Sequence, residues 1–259
     1  MTVRVVAIIP ARMASSRFPG KPLTDFFGMP MIEHVRRRAS LCGEFAEVVV
    51  ATCDKEIADV VERNNGKVIM TSDKHLAASD RIAEAAQHLN CTHVVNVQGD
   101  EVLVLPEDLS RMIKAIDGNP EIPVWNAVAG IEKTQDLSNR SIVKCAVSVS
   151  GRILYCSRDF SGIAFGGTGF DPIRVILGIL SYRKDFLLQY SSYERTPLEV
   201  LESIDQMRSI ERDIVLRGVP FTGSYPGVNT SDDAKLAQWY LENDPRQKFA
   251  LETICRVPA

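Results

Sequence analysis

A chain of 259 residues with 45% apolar content can bury a large core, and it contains no apolar run near the roughly 20 residues of a membrane span. A formal net charge of −3 provides no global basic field, so nucleic acid is not an expected partner and any anion recognition has to be local. Six cysteines without a C-x-x-C pair predict reduced thiols, and an opening that enters a strand without a signal-like apolar segment predicts a cytoplasmic protein.

Residues 3–9 form an apolar run that reads as a buried first strand, followed by the basic loop Pro10-Ala-Arg-Met-Ala-Ser-Ser-Arg-Phe-Pro-Gly-Lys-Pro-Leu23. Arg12, Arg17 and Lys21 supply three cations, Ser15 and Ser16 supply hydroxyls, and Gly20 permits close backbone approach to a ligand. At the carboxyl end of a strand in an open α/β sheet, such a loop suits a phosphorylated small molecule; a solvated basic loop is the plainer reading. A Walker motif is absent.

A helix is predicted over 30–42, with Pro30 at its first position, then a strand over 48–51. Asp54 can cap a helix with Ile57, Ala58 and Val61 on one face, before the Asn64-Asn65-Gly66 stop. Strands over 67–70 and 93–97 bracket a helix marked by Ile82, Ala85, Ala86 and Leu89, for which Ser79 or Asp80 can serve as cap. Arg81 can project toward an anion there, while Asp80 also suits a first-turn acid. The second of these strands leads to Gly99 and Asp100, a carboxylate placed to hold a divalent cation beside phosphate oxygens; loop hydrogen bonding explains it equally well. Pro106 opens a helix carrying Leu109, Met112, Ile113 and Ile116. This alternation predicts βαβ units and a mainly parallel sheet.

Further on, strands are predicted over 124–130, 143–149 and 175–182, a pattern that suggests a mixed sheet. A glycine-rich loop over 159–172, a helix over 197–211, a strand over 214–216 and a closing helix capped by Ser231 complete the chain. The four histidines show no metal-ligand spacing, and only His75 falls near a candidate site.

The ordered blocks resemble the CMP-Kdo synthetases, the 3-deoxy-manno-octulosonate cytidylyltransferases. The opening block over 8–23 is the most specific. Ala51-Thr-Cys-Asp54, Ser79-Asp-Arg81, Val95-Asn-Val-Gln-Gly-Asp-Glu101, Ser157-Arg158, Gly178-Ile-Leu-Ser-Tyr-Arg183, Pro197-Leu-Glu199, Glu202-Ser-Ile-Asp-Gln-Met-Arg208 and Gly227-Val-Asn-Thr230 follow in the family's order. The resemblance implies a three-layer α/β fold of the nucleotide-diphospho-sugar transferase type, mostly parallel, with a smaller mixed β subdomain. It implies one domain over 1–259, with a nucleotide half over about residues 1–130 and an acceptor and dimer-contact half over about 131–259. CTP would meet Ala11, Arg12, Ser15, Arg17, Lys21, Asp80, Arg81 and Gln98, and catalysis would rest on Arg12, Lys21 and Asp100. Arg158, Tyr182, Glu202 and Gln206 would face a small acidic, sugar-like acceptor, and Asp100 and Asn229 would hold Mg²⁺. A homodimer is expected.

Departures from the family pattern gather on the acceptor side. Asn229 stands where the family has a second metal carboxylate, Ile176 and Leu180 replace a His and a Tyr, and Val102 replaces a proline. Residues 159–162 and 75–81 also differ. These changes leave two alternatives: a cytidylyltransferase for a different carboxylate or phosphonate acceptor, and a nucleotide-binding protein without turnover.

Overall fold

The computed structural model describes residues 2–14, 18–75, 77–131, 133–163 and 172–256. From β1 (Val5–Ala11) the chain passes a 3₁₀ turn at Lys21–Leu23 and a short hairpin, β2 (Asp25–Phe26) and β3 (Met29–Pro30), into α1 (Met31–Ser40). Then β4 (Glu47–Thr52), α2 (Lys55–Arg63), β5 (Lys67–Met70), α3 (Ala78–Gln87), β6 (His93–Val97) and α4 (Pro106–Gly118) alternate. Next come β7 (Val124–Ala129), a 3₁₀ turn at Thr134–Leu137, β8 (Lys144–Val147), β9 (Ile153–Ser157), β10 (Ile173–Arg183) and α5 (Lys184–Tyr190). Two short helices, α6 (Pro197–Glu202) and α7 (Gln206–Ile210), precede β11 (Leu216–Pro220), α8 (Ser231–Asn243) and α9 (Pro245–Arg256).

The main sheet runs β11-β7-β10-β6-β1-β4-β5, with β8 and β9 branching from β10. β6, β1, β4 and β5 are mutually parallel, whereas β10 runs antiparallel to β6, β7 and β8. Side chains alternate across β1: Val5, Ile9 and Ala11 pack with α1, α2 and α4, and Val6 and Ile8 pack with α3, α5 and α7. The sheet is therefore the middle of three layers. A third cluster, Val102, Leu103, Val228, Ala234, Ala237 and Leu241, fastens α8 beneath the loop that follows β6.

β5 and β6 match their predicted limits; the strands predicted over 143–149, 175–182 and 214–216 become β8, β10 and β11 with different ends, β9 had no predicted counterpart, and five further elements depart from the prediction as follows. β1 starts and ends two residues later than predicted and includes Pro10; beyond Ile8 only β4 pairs with it, so the missing N–H interrupts no ladder bonded on both sides. Pro30 belongs to the hairpin, and α1 begins at Met31. α3 begins at Ala78, so neither Ser79 nor Asp80 is its cap. The helix predicted over 197–211 is interrupted at Ser203, which has φ of 54°. α8 is capped by Thr230 rather than Ser231: the Thr230 hydroxyl accepts from Asp233 N, and the Asp233 carboxylate accepts from Thr230 N at 2.9 Å. Of the loop over 159–172, residues 164–171 lie outside the described residues.

Candidate active site

β1 leads the chain toward β4 and β5 on one side of the sheet, and β6 lies on the other. The order of connection reverses between them, and a ligand crevice is expected beyond the carboxyl ends of strands at such a point. A cavity of about 300 Å³ lies there, lined by Ala11, Arg12, Lys21, His75, Arg81, Gln98 and Asp100. It adjoins a larger one of about 1120 Å³, and Ala78, Gln98 and Asp100 line both. Gly99 makes the sharp exit from β6 possible, since a Cβ there would meet the Pro10 carbonyl at 2.8 Å.

Lys21 bridges the cleft. Its ammonium donates to Asp100 Oδ2 at 2.7 Å and to the Val228 carbonyl at 2.9 Å, while Val228 N donates to the Asp100 carbonyl at 3.0 Å. Three segments distant in sequence are thus tied at one point. Arg12 is exposed at the rim of the smaller cavity. The backbone beside it is held by Met13 N, which donates to Asp54 Oδ2 at 2.7 Å, so Asp54 braces the basic loop instead of capping α2 with its side chain. Ser15 and Arg17 lie outside the described residues.

Arg81 is buried and its guanidinium donates to the Thr71 hydroxyl while it lines the smaller cavity. His75 pairs through Nε2 with Glu84, whose carboxylate also accepts from Ser72 N at 2.9 Å. Asp80 lines neither cavity.

The larger cavity collects Arg158, Tyr182 and Gln206, but not Glu202. Glu202 accepts from Arg158 N at 3.2 Å, while the Arg158 guanidinium donates to the carbonyls of Glu202, Arg140 and Ser203. Arg158 therefore organises the turn after α6 as well as facing the cavity. Tyr182 is buried against Tyr190, and burial pushes its phenol well above the ordinary range. Ile142, Val143, Ile176 and Leu180 make part of the wall apolar.

Sequence reasoning missed Glu101, Ser79, Asn96, Lys133 and Arg140, all of which line this cavity. The Ser79 hydroxyl and Asn96 Oδ1 are buried with no protein partner among the described residues. Glu101 accepts from Gly178 N at 3.1 Å; burial, then the charge of Asp100, push its carboxyl up to about 8. Asn96 inside the predicted strand and Ser79 at the predicted helix start were the available signals, whereas Lys133 and Arg140 lie where no element was predicted, and which cavity any of them reaches depends on the sheet order.

Asp100 and Asn229 border the same cavity, and Asp100 already holds a cation, the Lys21 ammonium. One carboxylate with an amide oxygen suits Mg²⁺, which takes few protein ligands and completes its shell with water and substrate phosphate oxygens. The donor set fits that ion. No group of three or more His, Cys, Asp or Glu side chains forms a ready-made metal cage among the described residues.

An open α/β sheet with a basic loop across a switch-point cleft from an aspartate, adjoining a second cavity large enough for an acceptor, defines a nucleotidyltransferase. More narrowly, the chain belongs to the cytidylyltransferase family, whose model matches residues 6–218. It is 35% identical to the 3-deoxy-manno-octulosonate cytidylyltransferase of Trichlorobacter lovleyi, covering 91% of this chain and 98% of that one. It is 36% identical to that of Acaryochloris marina, covering 93% and 98%. The solved structure of a CMP:2-keto-3-deoxy-manno-octonic acid synthetase complexed with CTP matches with a TM-score of 0.86 and 32% identity, covering 93% of this chain and 99% of that one. These are the relatives to which the sequence motifs pointed.

Proposed function

We propose that this chain transfers CMP from CTP to a hydroxyl of a 3-deoxy-octulosonate-type sugar acid, with Mg²⁺ as cofactor and pyrophosphate as the second product. The acceptor oxygen bonds to the α-phosphorus, the bond to the β-phosphate bridging oxygen breaks, and pyrophosphate leaves with that electron pair. The hydroxyl proton passes to solvent. Arg12 and Lys21 hold the triphosphate and neutralise charge on the departing pyrophosphate. Asp100 and Asn229 would hold Mg²⁺, which when bound supplies charge neutralisation at the α-phosphate. Gln98, Ala11 and Arg81 shape the nucleoside pocket, with Asp80, Ser15 and Arg17 assigned to the same half by their motifs. Arg158, Tyr182, Glu202 and Gln206 build the acceptor half, so that positioning accounts for most of the rate.

The observation that carries this reading is the meeting of Lys21 and Asp100 where the two cavities join. Its test is incubation with CTP, Mg²⁺ and Kdo, following CMP-Kdo and pyrophosphate. Product with both is expected, and no pyrophosphate with any sugar acid would leave a nucleotide binder.

A second reading, an acceptor other than Kdo, is favoured by the apolar wall of Ile142, Val143, Ile176 and Leu180. Polar groups on a substrate lose partners against such a wall. A panel of carboxylate and phosphonate acceptors, ranked by kcat/KM for pyrophosphate release, decides between the two; Kdo ranking first by a wide margin removes the second.

The same reading carries a cytoplasmic homodimer. What supports a pairing surface in the second half is that Leu154, Tyr155 and Leu201 are exposed there. No helix among the described residues is long and apolar enough to cross a membrane.

A further inference from the structure

Asn126 is a fully buried amide within β7, surrounded along the strand by apolar neighbours. Opposite it, the pairing of β10 with β7 shifts register between Ile176 and Leu180, a break that interrupts the regular ladder. The Asn126 Nδ2 group answers that break by donating to the carbonyls of Ala127 at 2.8 Å, Leu177 at 3.0 Å and Ile179 at 3.4 Å. A carbonyl can only accept, so three carbonyls settle which end of this amide is nitrogen. Oδ1 then faces the other way and accepts from Gln206 Nε2 at 2.8 Å. By the same exclusion, the Gln206 nitrogen is turned inward. Its Oε1 has no protein partner among the described residues, and Gln206 is one of the residues that line the large cavity, at the start of α7.

We propose that Asn126 is a positioning residue of the acceptor site: across the β10 bulge it locks the Gln206 amide with its oxygen presented to the acceptor. The acceptor must then bring a hydrogen-bond donor, a hydroxyl or an ammonium, to that point. A carboxylate or phosphonate oxygen placed there would face another lone pair. The inference rests on the acceptor reading above.

The test compares two replacements. Asn126→Leu removes both the donors and the acceptor at similar volume, and Asn126→Asp keeps an oxygen for Gln206 while giving up donors to the three carbonyls. Both lower thermal stability, so stability does not discriminate. With CTP and Kdo, Asn126→Leu is expected to raise the acceptor KM about tenfold, the worth of one oriented hydrogen bond, with the KM for CTP unchanged. Asn126→Asp is expected to stay within about threefold of the wild-type acceptor KM. Equal acceptor KM values in the two variants overturn the proposal. Asn126→Ala serves if the Leu variant does not fold.

A substrate-free readout separates this proposal from the acceptor reading. In ¹⁵N–¹H spectra of the ligand-free protein, the Gln206 side-chain amide, assigned by its loss in Gln206→Met, is expected to be protected from exchange. It should become solvent-like in Asn126→Leu or Asn126→Ala and stay protected in Asn126→Asp; an amide unaltered in all three overturns the lock. Wild-type protein that makes no CMP-Kdo sinks the acceptor reading alone, and the spectra then decide the lock.

Discussion

Lys21 Nζ lies 2.7 Å from Asp100 Oδ2, joining the loop that leaves β1 to the loop that leaves β6. Each side chain is about a fifth exposed, at 17% and 23%, so the pair sits at the mouth of the cleft rather than in the core. An ion pair this close to solvent contributes only about 0–1 kcal/mol to stability, so the proposed role of its two charges at the phosphates is what its removal tests.

Lys21→Ala and Asp100→Asn are each expected to lower kcat/KM by about 10²–10³, the usual loss when one electrostatic partner of a transition state is removed. Tm should move by no more than about 4 °C. Steady-state kinetics beside a thermal melt checks this, and near-wild-type turnover in either variant would remove the pair from the mechanism.

Asn229 N donates to Asp233 Oδ2 at 2.9 Å, which places its side chain next to the start of α8. Asn229→Asp adds a carboxylate near the end of a helix where negative charge is favoured. The Mg²⁺ concentration for half-maximal rate should fall about tenfold, because divalent-ion affinity follows ligand charge. A Mg²⁺ titration of initial rate measures this; an unmoved midpoint means that residue 229 does not touch the ion.

His34 is fully buried, with Nε2 2.6 Å from the Phe26 carbonyl, and burial is the main reason its pKa falls from 6.5 to about 4. The unfolded chain binds this proton more readily than the folded one, so the stabilisation is complete above pH 6.5 and is lost as pH falls toward 4. The gross effect is about 3 kcal/mol. His34→Gln is expected to show a smaller drop in Tm between pH 7 and 5 than the wild type. Parallel drops would contradict the assignment.

Glu199 is fully buried and meets Arg208 through Nε at 2.8 Å and Nη2 at 2.5 Å. Burial works against its charge, but hydrogen bonds from Arg208, Thr196 N and Arg195 outweigh this and hold its pKa below the ordinary value. Arg208→Leu strands a buried carboxylate and should cost about 3–5 kcal/mol, a loss of about 10 °C in Tm. The double change Glu199→Leu with Arg208→Leu should regain much of that loss, read by the same melts; a double variant less stable than the single one rules the argument out.

Local patterns in the sequence were enough for the parallel half of the sheet. The apolar run behind β6 and Pro106 at the start of α4 are decided within a few residues by side-chain alternation and by the missing proline N–H. The basic loop and Asp100 were legible for the same reason: charged residues and glycine at the carboxyl end of a strand are a short-range signal. The end of α6 was not, because a non-glycine residue at positive φ, Ser203, carries no sequence mark.

By itself, then, the sequence determined the alternation of strands and helices, the basic loop and the family to which its motifs belong. Only the tertiary structure decided that β10 inserts antiparallel between β6 and β7, that Arg158 donates to backbone carbonyls, and that Asn126 meets Gln206. The physical reason is the range of the interactions. Periodicity and capping act over one or two turns of chain, whereas a hydrogen bond such as that between residues 126 and 206, 80 positions apart, exists only after strand order and register have brought its atoms within 2.8 Å.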